Sequence, residues 1–104
     1  MANPHAGEVS LVIDGERHVA RLTLGALAEL EARLGAESLT SLVARFESDD
    51  LRARDVLELI AAGLRGGGWP GDLRDLLTAD IEGGQLAAAR AAAELLVLAF
   101  RSPA

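Results

Sequence analysis

The chain has 104 residues, enough for one hydrophobic core and too few for two, because single cores organise roughly 100 to 200 residues. Half of the residues are hydrophobic, and nearly all of these are aliphatic, which favours a folded, helix-rich chain and excludes an all-β sandwich. Sixteen acidic residues against ten basic ones give a net charge of −6, which argues against nucleic acid and anionic membranes as partners.

A β-hairpin is predicted over residues 8–23. Asp14-Gly15 stands between two runs rich in Val, Ile and Leu, and Asp-Gly favours a two-residue turn because both positions need positive φ. If Ile13 pairs with Glu16, one face of the hairpin collects Val9, Leu11, Ile13, Ala20 and Leu22. Such a hairpin is marginally stable alone, so we expect helices to cover that face.

Two helices are predicted after the hairpin. Thr23 is a plausible N-cap for the first, which continues to Gly35. Its leucines recur at helical spacing: Leu24, Leu27, Leu30 and Leu34. Ser38 can cap a short second helix that ends at residues 48–50. The apolar stripe of this second helix is Leu39, Leu42, Val43 and Phe46.

A third amphipathic helix is predicted from Ala53 to Arg65. Its apolar stripe is Val56, Leu57, Ile60, Ala61 and Leu64. Three glycines, residues 66–68, end this helix, and Trp69 then begins a turn. We expect Trp69 to pack back over the helix end; on an exposed loop it would instead anchor a protein partner.

Two more helices complete the chain. Asp72 can cap a helix that carries Leu73, Leu76, Leu77 and Ile81 and ends at Gly83-Gly84. The last helix is predicted from Gln85 to Arg101, with Arg90 and Glu94 as a modest surface ion pair. We expect its inward side to be Leu86, Ala89, Ala93, Leu96, Val97 and Phe100.

The predicted fold class is α+β and mostly α, with an N-terminal β-hairpin packed on a bundle of about five short helices. We expect residues 1–7 to be a flexible lead-in and residues 8–101 to form a single small domain. Within it, residues 8–23 form the hairpin and residues 24–101 are helical. Residues 102–104 are a short tail.

No pattern of residues predicts catalysis or a bound cofactor. The chain has no Cys, and every basic residue is Arg, so thiolate, Schiff-base and P-loop lysine chemistry are absent. The two histidines, His5 and His18, lack the spacing of a metal site. The paired carboxylates, such as Asp72 and Asp75, are explained by helix capping and solvated surface. We therefore expect no enzyme activity, no cofactor and no metal.

The N-terminus has neither the basic nor the apolar region of a signal peptide, and Glu94 interrupts the longest apolar stretch. A cytoplasmic protein without a membrane span is expected.

Two stretches carry a family resemblance: LVIDGERHVARLTLGALAELEARLG at residues 11–35 and RARDVLELIAAGLRGGGW at residues 52–69. With them, the chain resembles, over about residues 7–100, the gene transfer agent family of small proteins. These are encoded in prophage-like tail clusters of alphaproteobacteria and correspond to siphophage tail assembly chaperones.

The resemblance implies a non-enzymatic assembly factor that binds the tape-measure protein, the tail-tube protein or both before the tube polymerises. An alternative that stays open is a structural, tail-tube associated component of the particle. The expected partners are thus the tape-measure protein and the major tail protein, together with further copies of the chain. Association with the finished particle also stays open.

An apolar helix partner needs an exposed apolar groove. The candidate partner-binding residues are Leu24, Leu27, Leu30, Leu34, Leu57, Ile60, Leu64 and Trp69. The leucine and isoleucine positions among them are also the best core candidates, so both roles stay open.

Overall fold

The computed structural model describes residues 2–34 and 39–100 of the chain. A 3-10 turn, Pro4–Ala6, precedes the other elements. These are, in chain order, β1 (Glu8–Ile13), β2 (Glu16–Arg21), α1 (Leu24–Leu34), α2 (Leu39–Glu47), α3 (Ala53–Gly66), α4 (Leu73–Leu76) and α5 (Gly84–Phe100). The predicted α+β, mostly α class with a hairpin followed by five helices is confirmed.

The hairpin has the predicted register. Ile13 pairs with Glu16, and Val9 pairs with Ala20 across the two antiparallel strands. Asp14 and Gly15 form the turn with φ of 50° and 82°, the positive values that an Asp-Gly turn requires. All five side chains of the predicted inner face are buried: Val9, Leu11, Ile13, Ala20 and Leu22.

Helix α3 runs through the centre of the molecule and contacts β2, α1, α4 and α5. Its observed bounds differ from the prediction by one residue. The buried apolar side chains differ more, because Leu59 is completely buried while Val56 and Leu57 are only partly so. The cause is that several elements surround α3, so a single stripe does not describe its buried surface.

The glycines near the end of α3 allow close packing. A Cβ on Gly63 would collide with the Leu95 side chain of α5. A Cβ on Gly66 would collide with the carbonyl oxygen of Arg21, and one on Gly67 with that of Val19. These glycines therefore bring α3 into contact with the backbone of β2, beyond the helix-ending role expected from the sequence.

The predicted fourth helix is mostly absent. It begins after Asp72, whose side chain accepts hydrogen bonds as predicted, but it ends at Leu76. Ile81, expected on its apolar face, instead forms a β-bridge with Ile13. The Asp14 backbone N–H donates to the Asp80 carbonyl at 2.8 Å, so residues 80–82 extend the sheet at β1. Backbone pairing at this sheet edge replaces the helical hydrogen bonds.

The prediction of which side of α5 faces the core is wrong. Of the six side chains expected there, only Leu96 is buried; the structure buries Ala88, Ala91, Ala92, Leu95 and Leu96. The helix is apolar nearly all round, so its periodicity does not distinguish the two faces. Small alanines against the core allow α5 to approach α3, where Leu95 lies beside Gly63.

Two further elements, α1 and the 3-10 turn, begin with a local side-chain cap. Thr23 Oγ1 accepts a hydrogen bond from the Ala26 N–H at 3.0 Å, as predicted for an N-cap. In residues 2–7, the Asn3 side chain caps the 3-10 turn by accepting from the His5 N–H. The predictions that concern Gly35, Ser38, Arg101 and residues 102–104 lie outside the described residues.

Candidate functional site

The eight candidate partner-binding residues do not form one surface. Three of them, Leu30, Ile60 and Leu64, are buried in the core and are inaccessible to a partner in the folded chain. Another three are partly buried and pack against that core: Leu27, Leu34 and Leu57. Six of the eight candidates therefore lie in the core or pack against it.

The other two candidates, Leu24 and Trp69, lie at the surface. Leu24 is 84% exposed at the start of α1. Trp69 is partly buried and packs against the core, and its backbone N–H donates to the Leu64 carbonyl at 2.9 Å, which holds residue 69 close to the end of α3. Its ring lies against Gly71, where a Cβ would collide with it. Trp69 thereby lines a shallow groove of about 390 Å³ between α1 and α3.

The largest exposed apolar side chains of α5 lie on the side turned away from the core. Leu86 is 63% exposed, and Val97 and Phe100 are each 50% exposed. Together with the alanines between them they form the α5 outer face, defined as Leu86, Ala89, Ala93, Val97 and Phe100. These residues recur at intervals of three or four, so they lie on one side of the helix.

Two charged residues, Arg90 and Glu94, border the α5 outer face. Both are exposed. The predicted ion pair between them is not formed in the described part of the chain. Within a helix, an ion pair is more favourable when Glu stands four residues before Arg than in the reverse order. Here Arg90 precedes Glu94, so a pair between them within α5 would have the less favourable order.

An apolar groove adjoins the α5 outer face. It has a volume of about 320 Å³ and is lined by Pro4, Glu8, Ala93, Glu94, Val97 and Leu98. One Glu8 carboxylate oxygen accepts a hydrogen bond from the Asn3 N–H at 2.8 Å. This bond ties the N-terminal turn to β1 beside α5. The outer face and the groove thus form one continuous apolar surface.

Sequence reasoning missed two buried carboxylates on α3. Asp55 and Glu58 are each 4% exposed, and they lie three residues apart on the side facing α1 and α2. That spacing, in a helix otherwise rich in apolar residues, is the one sequence feature that could have indicated them. Each carboxylate accepts two hydrogen bonds from the guanidinium group of one arginine.

The Asp55 carboxylate is bound from two directions. Arg45 of α2 donates to it through Nε at 2.9 Å and through Nη2 at 2.7 Å. The Arg52 N–H donates to Oδ2 at 2.9 Å. Burial raises the pKa of Asp55, but the hydrogen bonds from Arg45 and Arg52 and the charges of these arginines outweigh it and hold that pKa below its ordinary value.

Glu58 has a similar partner on α1. Arg33 donates to Glu58 through Nε at 2.7 Å and through Nη2 at 3.3 Å. The hydrogen bond, followed by the negative charge of Glu58, raises the pKa of Arg33 further. Both carboxylates are committed to guanidinium groups, so their arrangement joins helices rather than offering a general base.

Over residues 2–34 and 39–100, no three His, Asp or Glu side chains are grouped so that they could hold a metal ion. His18 Nε2 lies 3.8 Å from Glu16 Oε2 on the hairpin. None of the described helices has the length and apolar character needed to cross a membrane.

Comparison with known proteins identifies the family. A family model described as "Phage tail tube protein, GTA-gp10" matches residues 6–102. No curated protein and no solved structure matches the chain. The family match covers nearly the whole sequence and confirms the resemblance to a gene transfer agent and phage tail family. The chain therefore belongs to the family of the phage tail tube protein GTA-gp10.

Proposed function

We propose that this protein is a non-enzymatic morphogenesis factor that acts as a tail assembly chaperone in gene transfer agent particles. It binds the tape-measure protein, the tail-tube protein or both during assembly, before the tube closes around the tape measure. Its place of action is the cytoplasm. The observation that carries this proposal is the α5 outer face, together with the membership in a tail protein family.

The physical argument starts from the composition of α5. A helix that is apolar all round is normally buried on every side, yet α5 exposes Leu86, Val97 and Phe100. Side chains of this size, clustered on one face beside an apolar groove, form the type of surface on which a partner helix docks. A chaperone for an apolar, aggregation-prone helix requires such a surface.

The second candidate function is a structural component of the tail. The family description names a tail tube protein, which favours this alternative. In that case the α5 outer face is a permanent contact between tail subunits rather than a transient contact with a client. The two functions differ in whether the protein is retained in finished particles.

The first experiment is co-expression with the tape-measure protein, and separately with the major tail protein, of the same tail cluster. Size-exclusion chromatography with light scattering then measures complex formation. We expect a soluble complex of defined mass with at least one of the two. Free protein beside both aggregated tape measure and unbound tail protein would contradict the proposal.

Matched variants locate the contact. Leu86 on α5 and Leu77 after α4 are both 63% exposed, so Leu86→Asp and Leu77→Asp make equivalent changes at two places on the surface. We expect Leu86→Asp to abolish the complex and Leu77→Asp to retain it. Equal binding by both variants would show that the client does not use the α5 outer face.

Mass spectrometry of purified particles separates the chaperone from the structural component. A chaperone is absent from finished particles or present only in traces. A structural component is present at a constant ratio to the tail-tube subunit, and that result would favour the second candidate.

A further inference from the structure

We propose that a second copy of this chain covers the α5 outer face in the free protein, in an antiparallel dimer with two-fold symmetry. The inference rests on the proposed function, because it names what occupies the client-binding surface before the client arrives. It also implies competition: the dimer and the client complex use the same surface and exclude one another.

The charges on α5 select a second copy as the occupant. The chain carries a net charge of −6, so two copies repel each other over most of their surfaces. The α5 outer face is different, since it is bordered by one positive residue, Arg90, and one negative residue, Glu94. A second copy can pair both of these charges with its own, which offsets part of the repulsion at this face.

A two-fold interface has to be self-complementary, because the same patch is present on both sides. Arg90 and Glu94 are four residues apart and border the same edge of the face. In an antiparallel pair of helices related by a two-fold axis, the same edge of each helix lies on the same side of the interface. The two edges run in opposite chain directions. Arg90 of each copy then lies opposite Glu94 of the other, which forms two intermolecular ion pairs.

The positions of the apolar side chains along the two helices fit the same alignment. When Arg90 is opposite Glu94 of the second copy, Leu86 lies at the level between Val97 and Phe100 of that copy. The middle of the interface is then occupied by Ala89 and Ala93 of both chains. Small residues at the crossing point allow two helix axes to approach closely, and the larger residues fill both ends.

The groove beside α5 extends the contact. Its lining includes the apolar residues Pro4, Val97 and Leu98 and the carboxylates of Glu8 and Glu94, and it lies next to the position that Leu86 of the second copy reaches. The side chain of that leucine fits within a groove of about 320 Å³. Burial of the Leu86, Val97 and Phe100 side chains of both copies supplies the hydrophobic driving force.

Charge-reversal variants of the purified 104-residue chain test the dimer. Arg90→Glu places two glutamates opposite two glutamates, and Glu94→Arg places arginines opposite arginines. We expect the wild-type chain to have the mass of a dimer by light scattering, and each variant to dimerise at least about tenfold more weakly, because facing like charges repel. Mixing the two variants restores both ion pairs, so we expect a dimer that contains one copy of each.

Val97→Asp is a second test that does not depend on the ion pairs. This variant buries a carboxylate in the interface and should be a folded monomer, with helical content measured by circular dichroism. A monomeric wild-type chain would overturn the proposal. So would a wild-type dimer that these substitutions leave unchanged, or a failure of the mixed variants to associate. None of these measurements contains a client, so their outcome is separate from the co-expression result that tests the proposed function.

Discussion

Arg45 on α2 and Asp55 on α3 form a two-pronged ion pair, with Nη2 2.7 Å from Oδ1 and Nε 2.9 Å from Oδ2. The side chains are 14% and 5% exposed, so most of the pair is shielded from water. Leu42 is the one described side chain of α2 that is fully buried. The ion pair thus joins α2 to α3 beside the apolar contacts that Leu39, Leu42 and Phe46 make with the core.

The first prediction is that Asp55→Ala destabilises the protein strongly. The substitution removes the carboxylate that accepts two hydrogen bonds from the Arg45 guanidinium and one from the Arg52 backbone N–H. We expect a loss of about 1.5 to 3 kcal/mol in the free energy of unfolding, the range for losing hydrogen bonds to a charged group. Urea denaturation measures it. Asp50→Ala, at an exposed position, is the control, and an equal loss in both variants would contradict the role of the pair.

The second prediction concerns the stability of the fold at acidic pH. The pKa of Asp55 in the folded chain lies below its ordinary value of 3.8, so the ionised carboxylate stabilises the fold. That contribution is present in full above the unfolded-state pKa, and it is lost as the pH falls through the lower folded-state pKa. We expect the stability difference between wild type and Asp55→Asn to shrink on acidification below about pH 4. Thermal melts of both proteins across this range measure it, and a difference that does not change with pH would disprove the assignment.

The third prediction addresses the contact between α3 and β2. An added methyl group at Gly66 meets the Arg21 carbonyl, so Gly66→Ala forces the helix away from the strand. We expect this variant to lose about 1 to 3 kcal/mol of stability, the usual penalty for overpacking.

Gly25→Ala in α1 is the matched control for Gly66→Ala. Its new Cβ has no neighbour closer than Thr23 Oγ1 at 3.9 Å, and alanine is the better helix former. We expect Gly25→Ala to be neutral or to stabilise the chain by up to about 1 kcal/mol. If chemical denaturation gave the two variants the same stability, close packing at Gly66 would be refuted.

The fourth prediction separates two leucines of the same predicted stripe. Leu30 is completely buried, whereas Leu24 is 84% exposed. We expect Leu30→Ala to lower the free energy of unfolding by about 2 to 5 kcal/mol, because it leaves a cavity. Leu24→Ala should change it by less than about 0.5 kcal/mol. Similar losses in both variants would mean that α1 packs differently from the structure.

Features with a local cause could be predicted from the sequence. The Asp14-Gly15 turn determines which residues of the hairpin face each other, and alternation then determines the buried face. Thr23 and Asp72 act as caps through hydrogen bonds to the backbone two or three residues further on. These features need no information about distant parts of the chain.

Features that depend on distant residues could not be predicted in this way. Ile81 has a spacing that suits a helix, but pairing with Ile13, 68 positions earlier, places it at the edge of the sheet. In the sequence, Asp55 and Glu58 have the pattern of ordinary surface carboxylates. Only the tertiary fold places arginines of α2 and α1 beside them. A buried carboxylate without a partner would destabilise the fold, and the tertiary structure avoids this because it places an opposite charge beside each of them.

By itself, the sequence determined the class of fold, the hairpin register, the positions of most helices and the family resemblance, because these follow from local patterns. Only the tertiary structure decided which side of α5 is buried. A helix with apolar residues all round can present either side to a core, and the close approach permitted by Gly63 and the α5 alanines selects one. That choice leaves Leu86, Val97 and Phe100 on the surface, where the proposed function requires them.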